Sequence, residues 1–153
     1  GMSATQPAGY VLAFDLGTRT IGVAIGHRET GMARALTTLT ARAGHPDWPS
    51  LDSLVKEWQP AAFVVGLPLT HDGGEQEMTR IARDFSARLG TRHARPVHLV
   101  DERHTSKEAA RRFANQRAQG AAKRKHGTEV DALAAQIILE TWFSLPDDEA
   151  DTP

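Results

Sequence analysis

The stretch AFDLGTRTIGVAIG, residues 13 to 26, carries one acid, Asp15, at the end of an apolar run and just before a glycine-containing turn. Aspartate is a poor strand former and costly to bury alone. Side chains alternate along a strand, so Asp15 shares a face with Val11 and Ala13, while Leu12, Phe14 and Leu16 point the other way. Accepting backbone hydrogen bonds within the turn is the simplest role open to such an acid. A partner elsewhere in the chain would give it another. One candidate follows the apolar run Val97 to Val100, which leads into Asp101-Glu102-Arg103. Adjacent strand residues face opposite ways, so only one of Asp101 and Glu102 can join Asp15, and periodicity does not choose between them. A further candidate is Asp131. It lies three residues after Thr128, the spacing of a capping box. It also heads the helical stripe 131, 135, 138, 142, which reads Asp, Ala, Ile, Trp and turns Asp131 toward an apolar face.

Three carboxylates that converge from two strand ends and a helix are hard oxygen ligands of the kind that suits Mg2+ or Mn2+. Two such ions about 4 Å apart activate a water and stabilise the leaving oxygen of a phosphodiester. Arg19 and Arg103 adjoin two of these acids and are positioned to meet phosphate, with surface salt bridges as the structural alternative.

The elements that must position these groups are legible as periodicities. Two opening strands flank the turn after Asp15, and Met32 to Leu39 extends them to a three-stranded meander. Leu51, Leu54, Val55 and Trp58 then recur at helical spacing between Pro49 and Pro60. Ala62 to Gly66 is a short buried strand, and Met78, Ile81, Ala82, Phe85 and Leu89 mark a helix ended by Gly90. After the strand Val97 to Val100, Thr105 and Glu108 form a T-x-x-E capping box that opens an arginine-rich helix. Residues 115 to 127 have almost no apolar content and are expected to be a mobile loop, whose His126 could approach a phosphate, with a solvated loop histidine as the favoured reading. Val130 to Phe143 is apolar on nearly every side, as expected of a helix packed deep against a sheet. A meander followed by strand-helix-strand units requires antiparallel and parallel pairing in one sheet. The expected fold is α/β and ribonuclease H-like, with a five-stranded mixed sheet flanked by helices.

Composition narrows the function classes. The 153 residues make one domain with a substantial core, expected over 10–145, between an N-terminal segment 1–9 that begins with a tag scar at Gly1 and an acidic tail 146–153. No cysteine is present, which excludes disulfides, thiolate metal sites and cysteine nucleophiles. No apolar run reaches membrane-spanning length, and a cytoplasmic location is expected. The net charge of -1 hides an asymmetry. Residues 80 to 125 hold thirteen Lys or Arg against four acids, including Arg103, Arg111, Arg112, Lys123, Arg124 and Lys125. That is the electrostatic footprint of a polyanion binder, with solvated helix faces as its plainer explanation.

The segments FDLGTRTIGVAIG, VVGLPLTHDGGEQ, VDERHTSKEA and VDALAAQIIL, in this order and spacing, resemble the Holliday-junction-resolvase-like family known as YqgF or RuvX. The resemblance covers residues 10 to 143. It implies a ribonuclease H-like fold and a nuclease that matures the 5′ end of 16S ribosomal RNA. Its catalytic and metal-binding acids fall on Asp15, Glu102 and Asp131. His104 and Glu129 depart from the family pattern, which usually has an apolar and often a basic residue there.

Three other readings compete. DLGT before IGVA also resembles the phosphate-binding hairpin of sugar kinases and actin-like ATPases, which close two lobes over a nucleotide. This chain has length for one lobe and lacks a G-x-x-x-x-G-K-[ST] loop. A factor that binds nucleic acid without cutting it, in ribosome assembly or transcription, would carry the same basic surface. A junction resolvase would need two sites on paired arms, and no dimerisation helix is evident, so single-strand RNA cleavage is the favoured nuclease activity; monomer and homodimer both stay open.

Overall fold

The computed structural model describes residues 9–105, 111 and 126–145. Six strands form one sheet: β1 (Tyr10–Leu16), β2 (Thr20–His27), β3 (Met32–Arg42), β4 (His45–Pro46), β5 (Ala62–Leu67) and β6 (Val97–Asp101). Their order is β4-β3-β2-β1-β5-β6. The first four pair antiparallel, and β1 pairs parallel with β5, which pairs parallel with β6. The mixed sheet is as expected, but it has six strands rather than five. The addition is β4, two residues that return from β3 across a turn at Ala43 and Gly44, both at positive φ (53° and 85°). Two consecutive left-handed residues suit a two-residue hairpin loop.

The helices are α1 (Trp48–Trp58), α2 (Glu77–His93) and α3 (His126–Ser144). Pro49 opens α1, where its missing N–H costs nothing, and Gln59 closes it in the left-handed region. At the start of α2, Thr79 Oγ accepts from the Gln76 N–H at 3.0 Å, half of a reciprocal cap. The helix continues through Gly90 to His93, so Gly90 does not end it. A Cβ there would lie 3.3 Å from Val97 Cγ2, so the glycine serves a close approach to β6. Similarly, α3 begins at His126, four residues before Val130, and takes in the last two residues of the expected loop.

Two cores result. Leu12, Phe14, Val23, Phe63 and Val65 face α1 and α2, meeting Leu51, Val55, Ala82, Phe85 and Leu89. Val11, Ala13, Ala24, Val64 and Val100 face the other way, onto Ala135, Ile138, Leu139 and Trp142 of α3. Among the described residues no helix is long and apolar enough to cross a membrane.

Candidate active site

The parallel strands β1, β5 and β6 end at the same side of the sheet, where open α/β sheets bind their ligands. Asp15 lies one residue from the end of β1 and pairs in register with Gly22. Val11 and Ala13 are buried beneath α3, so alternation puts Asp15 on that face, as expected. Val100 belongs to the same face. Asp101 therefore turns away from it, and Glu102, the next residue, returns to it. The Glu102 carboxyl hydrogen-bonds to that of Asp15.

That contact crosses β5, and the crossing depends on Gly66. A Cβ at Gly66 would lie 2.5 Å from Glu102 Oε2 and 2.6 Å from Ile138 Cδ1, distances no real side chain tolerates. The missing side chain is the channel through which Glu102 reaches β1.

Asp101 is engaged elsewhere. Its Oδ1 accepts from the Arg103 N–H at 2.9 Å, and its Oδ2 takes Arg103 Nη2 at 2.5 Å and Nε at 2.9 Å. Arg103 Nη1 also donates to the carbonyl of His71 at 3.1 Å. This ties the turn after β6 to the loop between β5 and α2. That loop is itself closed by the Gly74 N–H donating to Thr70 Oγ at 2.9 Å, and Thr79 Oγ donates to the Pro68 carbonyl. Thr105 Oγ donates to the Glu102 carbonyl at 2.9 Å, which secures the short 3-10 turn Glu102–His104. Glu108, the other half of the expected capping box, lies outside the described residues.

Burial pushes the Glu102 carboxyl above its ordinary range, and the negative charge of Asp101 pushes the same way, while the hydrogen bond from Asp15 opposes both. Two carboxyl groups in contact require a shared proton or a cation between them. With oxygen donors alone, the fitting cation is a hard one, Mg2+ or Mn2+. Among the described residues no three His, Asp or Glu side chains are grouped to hold a metal. The third expected acid, Asp131, lies in the first turns of α3, on the stripe whose Ala135, Ile138 and Trp142 pack onto this face; its side chain lies outside the described set.

A stability prediction follows from the Glu102 shift. A raised carboxyl binds its proton more tightly in the folded than in the unfolded protein. Its contribution is present below the ordinary glutamate value of 4.5 and is lost as pH rises through the higher folded value. Glu102→Gln removes that loss. Relief of about 1–2 kcal/mol, typical of a buried polar group without full compensation, corresponds to a melting temperature roughly 2–8 °C higher for a domain of this size. The comparison is thermal unfolding in a chelator at mildly alkaline pH, and equal midpoints would show that the carboxyl is solvated.

The expected phosphate-binding residues divide. Arg19 is exposed in the β1–β2 turn. Arg103 is exposed but committed to Asp101 and His71, so the salt-bridge alternative describes its geometry. Arg111 is exposed on a helical residue. Arg112, Lys123, Arg124 and Lys125 lie outside the described residues, as does most of the expected loop; the side chains of His104, His126 and Glu129 do too. Sequence reasoning missed Gly66, whose signal was only its place in an otherwise apolar strand.

Comparisons with known proteins bear on the family and the fold. Residues 9–145 match the family described as RuvX, Holliday junction resolvase. A protein of Xanthomonas euvesicatoria pv. vesicatoria named "Putative pre-16S rRNA nuclease" is 44% identical over 150 residues, covering 98% of this chain and 97% of its own. One of the same name from Xanthomonas campestris pv. campestris (strain B100) is 46% identical over 144 residues, 94% and 93% of the two chains. Among solved structures, T. thermophilus RuvC in complex with a Holliday junction substrate is similar with a TM-score of 0.53 at 16% identity, over 88% of this chain and 93% of that one. The yeast mitochondrial Holliday junction resolvase Ydc2 gives 0.52 at 12% identity, over 92% and 80%. At such identities the likeness establishes the fold, which is the ribonuclease H-like fold expected.

Proposed function

The chain belongs to the RuvX family, and from that premise we propose that it is a metal-dependent nuclease acting on precursor 16S ribosomal RNA. The observation that carries the reading is the contact between Asp15 and Glu102 across Gly66, two carboxyls at the carboxyl edge of the parallel strands. Asp15, Glu102 and Asp131 would hold Mg2+ or Mn2+. Bound there, the ions would supply an activated water and a positive counter-charge for the leaving oxygen.

The chain's own residues do the positioning. Glu102 is held by its turn and by the Arg103 brace, so its carboxylate needs little rearrangement to meet a cation. Arg111, Arg112, Lys123, Arg124 and Lys125 would draw the polyanion toward the carboxylates. The relatives' names support RNA maturation, and the position of the acids supports phosphodiester hydrolysis. The cytoplasm, where ribosomal RNA matures, is the proposed location.

The test is a cleavage assay with Mn2+ or chelator on a 5′-extended 16S precursor, a four-way DNA junction and short single strands. Metal-dependent cleavage near the mature 5′ end supports the reading. Cleavage of the junction alone would replace the substrate, and no cleavage of any of them would leave a binding factor.

A further inference from the structure

The face of the sheet that carries Asp15 changes character along β3. In its first half, Ala33 packs beneath α3, and the Ala35 N–H donates to Gln136 of that helix at 3.0 Å. A register shift follows, after which Leu36, Leu39 and Ala41 pack toward α1 and α2. Alternation from Leu39 and Ala41 turns Thr38, Thr40 and Arg42 onto the Asp15 face. Asp15 pairs with Gly22, and Gly22 pairs with Thr38, so these three form one row across β1, β2 and β3. At about 4.8 Å per strand, the row is roughly 10 Å long; Gly22 at its middle is buried and Thr38 half-buried, so its open part begins at Thr40. Thr40 and Arg42 continue it to the hairpin tip, where both are exposed.

The tip is rigid. The Ala41 N–H donates to the Arg19 carbonyl at 2.8 Å and the Gly44 N–H to that of Thr18 at 3.2 Å, which locks the hairpin to the β1–β2 turn. Gly44 is pressed against α2, with space for no Cβ before Ile81 Cγ2 at 2.6 Å. Arg19, Arg42 and His45 are all exposed there, and among the described residues none of the three enters an ion pair. The nearby acid, Asp47, accepts from Ser50 Oγ at 2.6 Å. A cavity of about 350 Å³ lies between Thr40, Arg42, His45 and Asp47.

We propose that this ledge, formed by Thr40 and Arg42 at the open end of the row with Arg19 beside them, binds the phosphodiester backbone of a single strand leaving the carboxylates. The identity of the polymer rests on the nuclease reading. Threonine hydroxyls and uncommitted guanidinium groups on a fixed scaffold suit a phosphate track. The ledge lies on the β3–β4 side of Asp15 and is built from residues remote in sequence from the basic stretch 80 to 125.

The test uses the full chain in Ca2+, with fluorescence anisotropy of a single-stranded RNA and a DNA of the same length across a salt series. Each phosphate contact on a single strand contributes a log–log slope of about -0.7. The double variant Arg19→Gln/Arg42→Gln should therefore bind with a slope shallower by about 1.4. The control Arg28→Gln/Arg34→Gln removes the same charge from the far end of β2 and β3 and should keep the wild-type slope. Flattening with both polymers supports a phosphate track, and flattening with RNA alone supports one that also uses the 2′-hydroxyl. Equal slopes for wild type and the ledge variant, or equal flattening in the control, overturn the proposal. Binding is read without cleavage, so a ledge effect survives failure of the nuclease reading, and cleavage by a chain with equal slopes would spare that reading.

Discussion

Glu102→Gln is expected to lower cleavage by at least about a hundredfold, while Asp101→Asn lowers it by no more than about tenfold. Loss of a group that merely orients a metal ligand already costs 10- to 100-fold, and Glu102 would be a ligand itself. Gln keeps the size and one oxygen but cannot carry the charge that a divalent ion requires. Asp101, by contrast, faces away from Asp15 and is held by Arg103. Its amide still accepts from the Arg103 N–H, so the turn keeps much of its shape. Rates under single-turnover conditions with Mn2+ measure both. The opposite ranking would mean that Asp101 is the ligand and that the turn after β6 rearranges on binding.

Gly66→Ala is expected to lower cleavage by about a hundredfold without touching a charged group. Its Cβ would occupy space within 2.5 Å of Glu102 Oε2. Ile138 Cδ1 would also lie within 2.6 Å and belongs to the buried α3 core. The carboxylate is the group that moves. A displacement near 1 Å in a catalytic constellation costs about 10²-fold, and overpacking adds about 1–3 kcal/mol of destabilisation. The melting transition should stay cooperative at a lower midpoint, which separates misplacement from unfolding. Combination with Glu102→Gln should cost far less than the two losses multiplied, because both act on one interaction. Multiplicative losses would mean that Gly66 acts on something other than Glu102.

The architecture was readable where periodicity and burial coincide. Leu12 and Phe14 against Val11 and Ala13 divide β1 between two cores, and that division alone put Asp15 on the α3 face. The choice between Asp101 and Glu102 could not be read the same way. Leu99 and Val100 are both apolar in sequence, and only the fold shows that Val100 packs on α3 while Leu99 faces the other core. The sixth strand was hidden for a local reason. Its hairpin turns at Ala43-Gly44 rather than at the Asn-Gly or Asp-Gly that would announce such a turn, and its second residue is a proline. Gly66 and the Arg19–Arg42 ledge depend on neighbours distant in sequence. Counting charges along the chain drew attention to residues 80 to 125 and away from isolated cations that folding brings to one edge.

The carboxylate pair is tested most directly by titrating Mn2+ into the full chain by calorimetry, in two buffers of different ionisation enthalpy so that protons are counted with the metal. Metal ligands must be deprotonated to bind, and Glu102 holds its proton above the ordinary range. Saturable binding in the wild type, abolished in Asp15→Asn and in Glu102→Gln, is the expected result. Undiminished Mn2+ binding in both variants, or none in the wild type, would contradict the assignment of Asp15 and Glu102 as the metal-binding centre.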